Sequence, residues 1–198
     1  MGLEFTSADG QTPLDEDEKS ELLIPTITTR AELDEFEQQN IESAVEWTMS
    51  RSFTAVQVLN EPFIKELHIR MFDEVWKWAG QFRKTNKNIG VDKFQIGIEL
   101  RALLDDSRYW IDNRTYPQDE IAIRCKHRLV SIHCFANGNG RHARLYADVL
   151  IEKILDRPLF TWGSASLLRP GDTRAAYLSA LQTADEGDVG PLLAFARS

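Results

Sequence analysis

Apolar residues recur at helical spacing through most of the chain. Leu33, Phe36, Ile41, Ala44, Val45 and Thr48 follow the 3.6-residue repeat, and Thr29 with Glu32 three positions on makes a capping box, so a helix begins at Thr29. A second helix starts after Asn60, with Pro62 in its first turn. Its stripe is Ile64, Leu67, Met71, Val75 and Trp78, and Gly80 ends it. Further helices are predicted over 98–112, 117–132, 172–184 and 190–196. The stretch 141–155 is apolar nearly all round, which predicts a buried central helix.

Two segments break the rhythm. Residues 81–95 hold the turn formers Asn86, Asn88 and Gly90 between β-capable Phe82 and the run Ile89, Gly90, Val91, which predicts a small β-hairpin flap. Residues 1–28 carry Gly10, Pro13 and Pro25 with little periodicity. Their Leu14, Leu22, Leu23 and Ile24 need cover, so the arm is expected to lie against the body. The expectation is an all-α fold with one β-hairpin flap, arranged as an N-terminal arm over 1–28 and a single domain over 29–198.

Composition changes this picture little. With 198 residues, 42% hydrophobic and 27% charged, the chain can build one good core. No apolar run approaches the roughly 18 residues of a membrane helix, and the N-terminus lacks the basic start and apolar stretch of a secretory signal. Cys125 and Cys134 fall on one predicted helix and the loop after it, which suits free thiols and a cytoplasmic location. The net charge of −8 is uneven: residues 1–46 hold 13 acids and 2 bases, a net of −11, leaving +3 for the rest. An acidic chain is a poor candidate for direct nucleic-acid binding, whereas the mildly basic body suits a phosphate-bearing small molecule.

The candidate chemistry lies in 133–144, which reads His133, Cys134, Phe135, Ala136, Asn137, Gly138, Asn139, Gly140, Arg141, His142, Ala143, Arg144. Gly138, Asn139 and Gly140 open the central helix, where backbone N–H groups and the positive dipole end form an anion nest. Arg141 and Arg144 sit three apart in its first turn, and guanidinium forks suit phosphate oxygens. Cations at a helix N-terminus are unfavourable without a nearby anion, so the set points to a bound phosphate with His133 as a base at its edge.

At these residues the sequence resembles the Fic (filamentation induced by cAMP) family. That family's signature is His-Pro-Phe-x-(Asp/Glu)-Gly-Asn-(Gly/Lys)-Arg-x-x-Arg, and ten of twelve positions agree. The run from Trp78 to Arg83 and the run from Ala180 to Asp188 resemble the family's flap entry and closing segment. The front half, through Thr12, Pro13, Leu14, Asp15 and 37–41, resembles the bacterial subgroup called mobile mystery protein B.

The resemblance implies AMP transfer from ATP to a Ser, Thr or Tyr hydroxyl of a target protein. His133 takes the proton, Gly138, Asn139 and Gly140 hold phosphates, Arg141 and Arg144 neutralise them, and the flap at Ile89, Gly90 and Val91 aligns the target as an added strand. Partners are then a target protein and a small antitoxin-like or regulatory protein. The family's usual Pro is Cys134 here. Its acidic Mg²⁺ ligand is Asn137, whose neutral oxygen is a poorer ligand, so weakened or atypical catalysis is expected. Fic autoinhibition uses a glutamate that pairs with the second motif arginine. Glu37 reaching Arg144 is the candidate for that contact.

Three other readings compete. One is a metal hydrolase built on His127, His133 and His142, against which their spacing matches no zinc pattern and His142 reads as a surface or pocket-rim residue. Another is a nucleotide- or partner-binding module without catalysis. The third is transfer of UMP, phosphocholine or phosphate.

Overall fold

The Thr29 side chain accepts the Glu32 N–H at 3.2 Å while the Glu32 carboxylate accepts the Thr29 N–H at 2.9 Å, so the first long helix starts where its capping box lies. The computed structural model describes residues 14–164 and 170–198. In chain order the helices are α1 (Glu16–Lys19), α2 (Arg30–Met49), α3 (Ala55–Val58), α4 (Glu61–Phe72), α5 (Ile96–Asn113), α6 (Gln118–Ile132), α7 (Asn139–Val149), α8 (Pro170–Asp185) and α9 (Gly190–Arg197). A π-helical segment, Leu150–Ile154, continues α7. The fold is mostly helical, as the periodicity predicts.

The apolar stretch after the motif is the central helix. Ala143, Tyr146, Ala147, Leu150 and Ile151 are buried, and α7 packs on both α6 and α4. Around this centre, α2 packs on α4, α5 on α6, and α8 on α9. Burying the apolar side chains of this helix on several sides stabilises the fold. Among the described residues no helix is long and apolar enough to cross a membrane.

The structure departs from the sequence pattern in two places. The second helix stops at Phe72 rather than near Gly80. Residues 73–80 turn instead, because the chain before α2 lies alongside them. Leu22 and Trp76 form an antiparallel bridge, flanked by Leu23 N–H to Val75 O at 2.9 Å and Lys77 N–H to Glu21 O at 3.0 Å. Trp76 and Trp78 stack at 5.0 Å between centroids, and the Trp78 indole donates to Glu18 O at 3.2 Å. Val75, Trp76 and Trp78 are therefore buried at helix-like spacing by tertiary contacts, with no helix there.

The expected β-hairpin over 81–95 is the second departure. Among the described residues the only β contact made by that segment is an isolated bridge from Phe82 to Phe135. The Arg83 side chain occupies the place of a partner strand. Its guanidinium donates to Thr85 O at 2.8 Å, to His133 O at 2.6 Å and to Val91 O. Backbone carbonyls that would pair across a hairpin are taken by one buried cation. The segment is thus a loop wrapped around Arg83. It is clamped from outside by Lys87, whose ammonium meets Asp15 at 3.0 Å and Glu18 at 2.5 Å.

Candidate active site

The motif forms the connection between α6 and α7. His133 ends α6 in the left-handed conformation (φ 56°, ψ 63°), so the chain reverses at the histidine itself. Asn139 then closes the loop. Its Oδ1 accepts the Phe135 N–H at 2.9 Å and its Nδ2 donates to Phe135 O at 2.8 Å. The Asn139 side chain is therefore a staple, and only its backbone N–H is left for an anion.

The two glycines act differently. Gly138 has φ 76°, and a Cβ there would lie 2.4 Å from the Phe72 ring, so the turn needs glycine for both conformation and space. Gly140 is helical and a Cβ there would meet no protein atom within 4 Å. What its missing side chain leaves is open room at the helix start. The first intrahelical bond runs from His142 N–H to Gly138 O at 2.9 Å, so the N–H groups of Asn139, Gly140 and Arg141 precede it, as in any helix N-terminus. Asn137 bends back, its Oδ1 accepting the Gly138 N–H at 2.6 Å.

A cleft of about 1220 Å³ brings together His133, Asn137, Gly138, Asn139, Gly140, Arg141 and Arg144 with Ile89 and Gly90 of the loop. Two expected site residues lie outside that lining. Val91 is a peg: its N–H donates to Ile132 O at 3.3 Å and its carbonyl accepts from Arg83, leaving no backbone edge for strand addition at that residue. Glu37, from α2, reaches the site through Arg141 and not Arg144. The Arg141 guanidinium meets the Glu37 carboxylate at 2.7 Å, and the other carboxylate oxygen accepts the Trp76 indole N–H at 2.7 Å. Arg144 points elsewhere on the helix, stacking over Tyr177 at 4.1 Å and Trp162 at 5.7 Å. The two arginines, three apart in sequence, thus have separate surroundings.

His133 is neutral at physiological pH. Burial pushes its pKa down to about 4, and the Arg83 charge adds to this against an opposing hydrogen bond to the Val130 backbone. A neutral imidazole beside an anion nest can accept a proton. Burial raises both Cys125 and Cys134 to about 12, which keeps them protonated at neutral pH.

The other histidines take structural roles. His142, expected at the pocket rim, is buried and bonds Ile64 O at 2.9 Å, because the first turn of α7 packs that face on α4. His127 pairs with Asp185 at 2.8 Å. His127, His133 and His142 therefore have different partners, although His127 and His133 line the same cleft. Among the described residues no group of three His, Cys, Asp or Glu side chains could hold a metal ion.

Sequence reasoning did not find two groups near the site. Lys126 is fully buried and donates to the Tyr177 hydroxyl at 2.6 Å, fixing the ring that faces Arg144. Its burial, with the Arg144 charge, holds its pKa far below the usual lysine value. His68, on α4, touches the motif loop directly through Asn137 O at 3.1 Å. The spacing of Leu67, His68 and Met71 gave no hint of this, since a histidine beside an apolar stripe reads as an ordinary core position.

Comparison with known proteins finds relatives in sequence and in fold. Residues 58–151 match the Fic/DOC family model. The chain is 29% identical over 137 residues to the protein adenylyltransferase Fic of Drosophila grimshawi, a match that covers 67% of this chain and 26% of that protein. The chain thus spans about a quarter of the length of the curated relatives it matches. Among solved structures, Fic-1 (residues 134–508) from C. elegans aligns with a TM-score of 0.62 and 22% identity, covering 90% of this chain and 50% of that one. The BepC protein of Bartonella tribocorum with bound AMPPNP aligns with a TM-score of 0.64 and 19% identity, covering 92% and 97%. Residues 58–151 thus carry the Fic/DOC match, and the helical fold around them is the one seen in the solved Fic structures.

Proposed function

We propose that this protein transfers AMP from ATP to a Ser, Thr or Tyr hydroxyl of a target protein. One observation carries the reading: a neutral His133 lines the same cleft as the N-terminus of α7, Arg141 and Arg144. The relatives named adenylyltransferase and the neighbour with bound AMPPNP support the choice of donor. In the reaction the target's hydroxyl oxygen attacks the α-phosphorus and gives its proton to His133. The bond from that phosphorus to the oxygen bridging to the β-phosphate breaks, and pyrophosphate leaves. Backbone N–H groups of Asn139 and Gly140, with Arg141 and Arg144, bear the phosphate charge. Ile89 and Gly90 form the wall against which the target chain is laid.

Magnesium is the family's expected companion of the nucleotide, and the residues here do not fit an ion held by the protein. Asn137 offers an uncharged amide oxygen already engaged by the Gly138 N–H at 2.6 Å, in place of a carboxylate. This same observation favours a second reading, a slow enzyme or a nucleotide-binding module of the same fold. We place the chain in the mobile mystery protein B subgroup, in the bacterial cytoplasm. Its partners in this reading are a target protein and a small antitoxin-like regulator.

The test is incubation with ATP labelled at the α-phosphate, followed by electrophoresis of the protein and of added extract. Label on protein with the wild type, and none with His133→Ala, supports AMP transfer. Equal labelling of both proteins refutes the role of His133. ATP binding with no label from any of a panel of nucleotide donors establishes the binding module instead.

A further inference from the structure

His68 stands on α4, far in sequence from the motif, with its ring fully buried. It stacks on Phe135 at 3.7 Å between centroids and 23° between planes, with Phe72 at 4.7 Å and His142 edge-on at 5.5 Å. Each ring nitrogen has one polar partner. The Gly80 N–H lies 3.0 Å from Nδ1, and Asn137 O lies 3.1 Å from Nε2. A backbone N–H can only donate and a backbone carbonyl can only accept. Nδ1 must therefore carry a lone pair and Nε2 the proton, and only the neutral Nε2–H tautomer makes both bonds.

The consequence falls on the peptide between Asn137 and Gly138. In a planar trans peptide the C=O and the following N–H point in opposite directions. By fixing the Asn137 carbonyl toward the core, His68 turns the Gly138 N–H edge away from the core, where the Asn137 Oδ1 accepts it at 2.6 Å in place of an anion oxygen. This peptide leads into Asn139, Gly140 and Arg141. Without the His68 donor, that carbonyl would be buried with no partner, and the route to satisfying it is a flip toward the cleft. A flip would put an oxygen lone pair where phosphate oxygens are to bind.

The geometry points to His68 as a positioning residue that holds the Asn137 peptide in the orientation that makes the motif loop an anion site. The inference rests on the reading of the cleft as a nucleotide-phosphate site. It adds a residue outside the motif, and a connection through Gly80 to the turn after α4. Gly80 itself has no latitude, since φ is 73° and a Cβ would lie 2.3 Å from the Ile69 side chain.

Two substitutions separate the bonds. In His68→Gln the amide nitrogen falls where Nε2 was and can still donate to Asn137 O. In His68→Asn the amide oxygen falls where Nδ1 was and can still accept from Gly80, while the donor to Asn137 is lost. ATP and pyrophosphate affinities are measured by calorimetry, and unfolding midpoints of both variants are recorded. The expected result is that His68→Asn loses at least about tenfold in affinity, the scale of one charge-assisted hydrogen bond, while His68→Gln stays within about threefold of wild type. Equal loss in both, in step with their midpoints, overturns the proposal, as does a folded His68→Asn that binds like wild type.

Nitrogen NMR of the wild-type ring at neutral pH supplies a reading that needs no variant and no nucleotide. A ring protonated on Nε2 is expected, and a ring protonated on Nδ1 overturns the proposal. If wild type binds neither ATP nor pyrophosphate, the phosphate reading fails. The Gly138 amide signal then decides the positioning role: a shift in His68→Asn but not in His68→Gln supports it, and any other pattern refutes it.

Discussion

Glu37 and Arg141 are joined at 2.7 Å across the edge of the cleft, the carboxylate 2% exposed and the guanidinium 38% exposed. An arginine expected to meet phosphate is thus already neutralised by this chain's own α2. The carboxylate is held in place from behind by the Trp76 indole. A ligand phosphate must compete with it. Glu37→Gln removes the charge and keeps an oxygen for Trp76. We expect ATP to bind the variant at least about tenfold more tightly, a gain near 1.4 kcal/mol, with stronger labelling from ATP. Calorimetry on both proteins checks this, and unchanged affinity means the pair is only structural.

Gly140 offers a substitution in which stability and binding should part. A methyl group there meets no protein atom within 4 Å, and alanine is the better helix former. Gly140→Ala should leave stability unchanged or raise it by about 0.5 kcal/mol. The same methyl would occupy the space at the helix N-terminus, so ATP affinity should fall by about tenfold or more. A parallel fall in both, by thermal unfolding and calorimetry, would show that the space belongs to the fold.

Asn137→Asp should reverse the effect of magnesium on nucleotide binding. A carboxylate can still accept the Gly138 N–H, so the loop should persist. Without Mg²⁺ the added charge repels phosphates and ATP should bind more weakly than to wild type. With Mg²⁺ it should bind more tightly. Titrations with and without the metal check both signs, and equal affinities in the two proteins would sink the idea.

The buried histidines should make stability fall on mild acidification. Burial lowers His133 and His142 to about 4 and depresses His68 well below its ordinary value. The unfolded chain, with histidines near 6.5, then binds more protons than the folded one throughout that window. The stability His133 and His142 contribute is complete above about pH 6.5 and drains away toward pH 4, at up to about 1.4 kcal/mol per pH unit for each of the two, and His68 acts in the same direction. His142→Gln keeps a donor for Ile64 O and should make the profile shallower, while Asp148, whose carboxyl burial pushes up to about 7, works in the opposite direction over the same range. Urea midpoints between pH 7 and pH 4.5 would show it, and a flat profile would contradict the burial of these rings.

What could be read from the sequence were the features set by neighbours in the chain. The capping box at Thr29, the Asn60 cap that takes the Phe63 N–H at 2.8 Å and the apolar positions of the central helix are each decided within a few residues, although α7 itself also carries Arg141, Arg144 and Asp148 and is not apolar all round. Gly138 was legible for the same reason. The misses all depend on distant partners. Trp76 leaves helical geometry because Leu22 is beside it, and the hairpin fails because Arg83 takes its carbonyls. Glu37 meets Arg141 because α2 packs on α4, and His68 reaches the motif across 69 positions. Periodicity carries no information about which side chain from elsewhere fills a hydrogen bond.

The clamp between the N-terminal arm and the loop over His133 has a practical consequence for anyone shortening this protein. Cutting at residue 28 to obtain a minimal domain would look harmless on the helix map. It would strip Asp15 and Glu18 from Lys87, whose side chain is 2% exposed, and Leu22 from Trp76. A segment of fifteen residues works as a splint. Its loss would loosen the wall on which a target chain is laid, and a trimmed protein would misreport what the intact one can do.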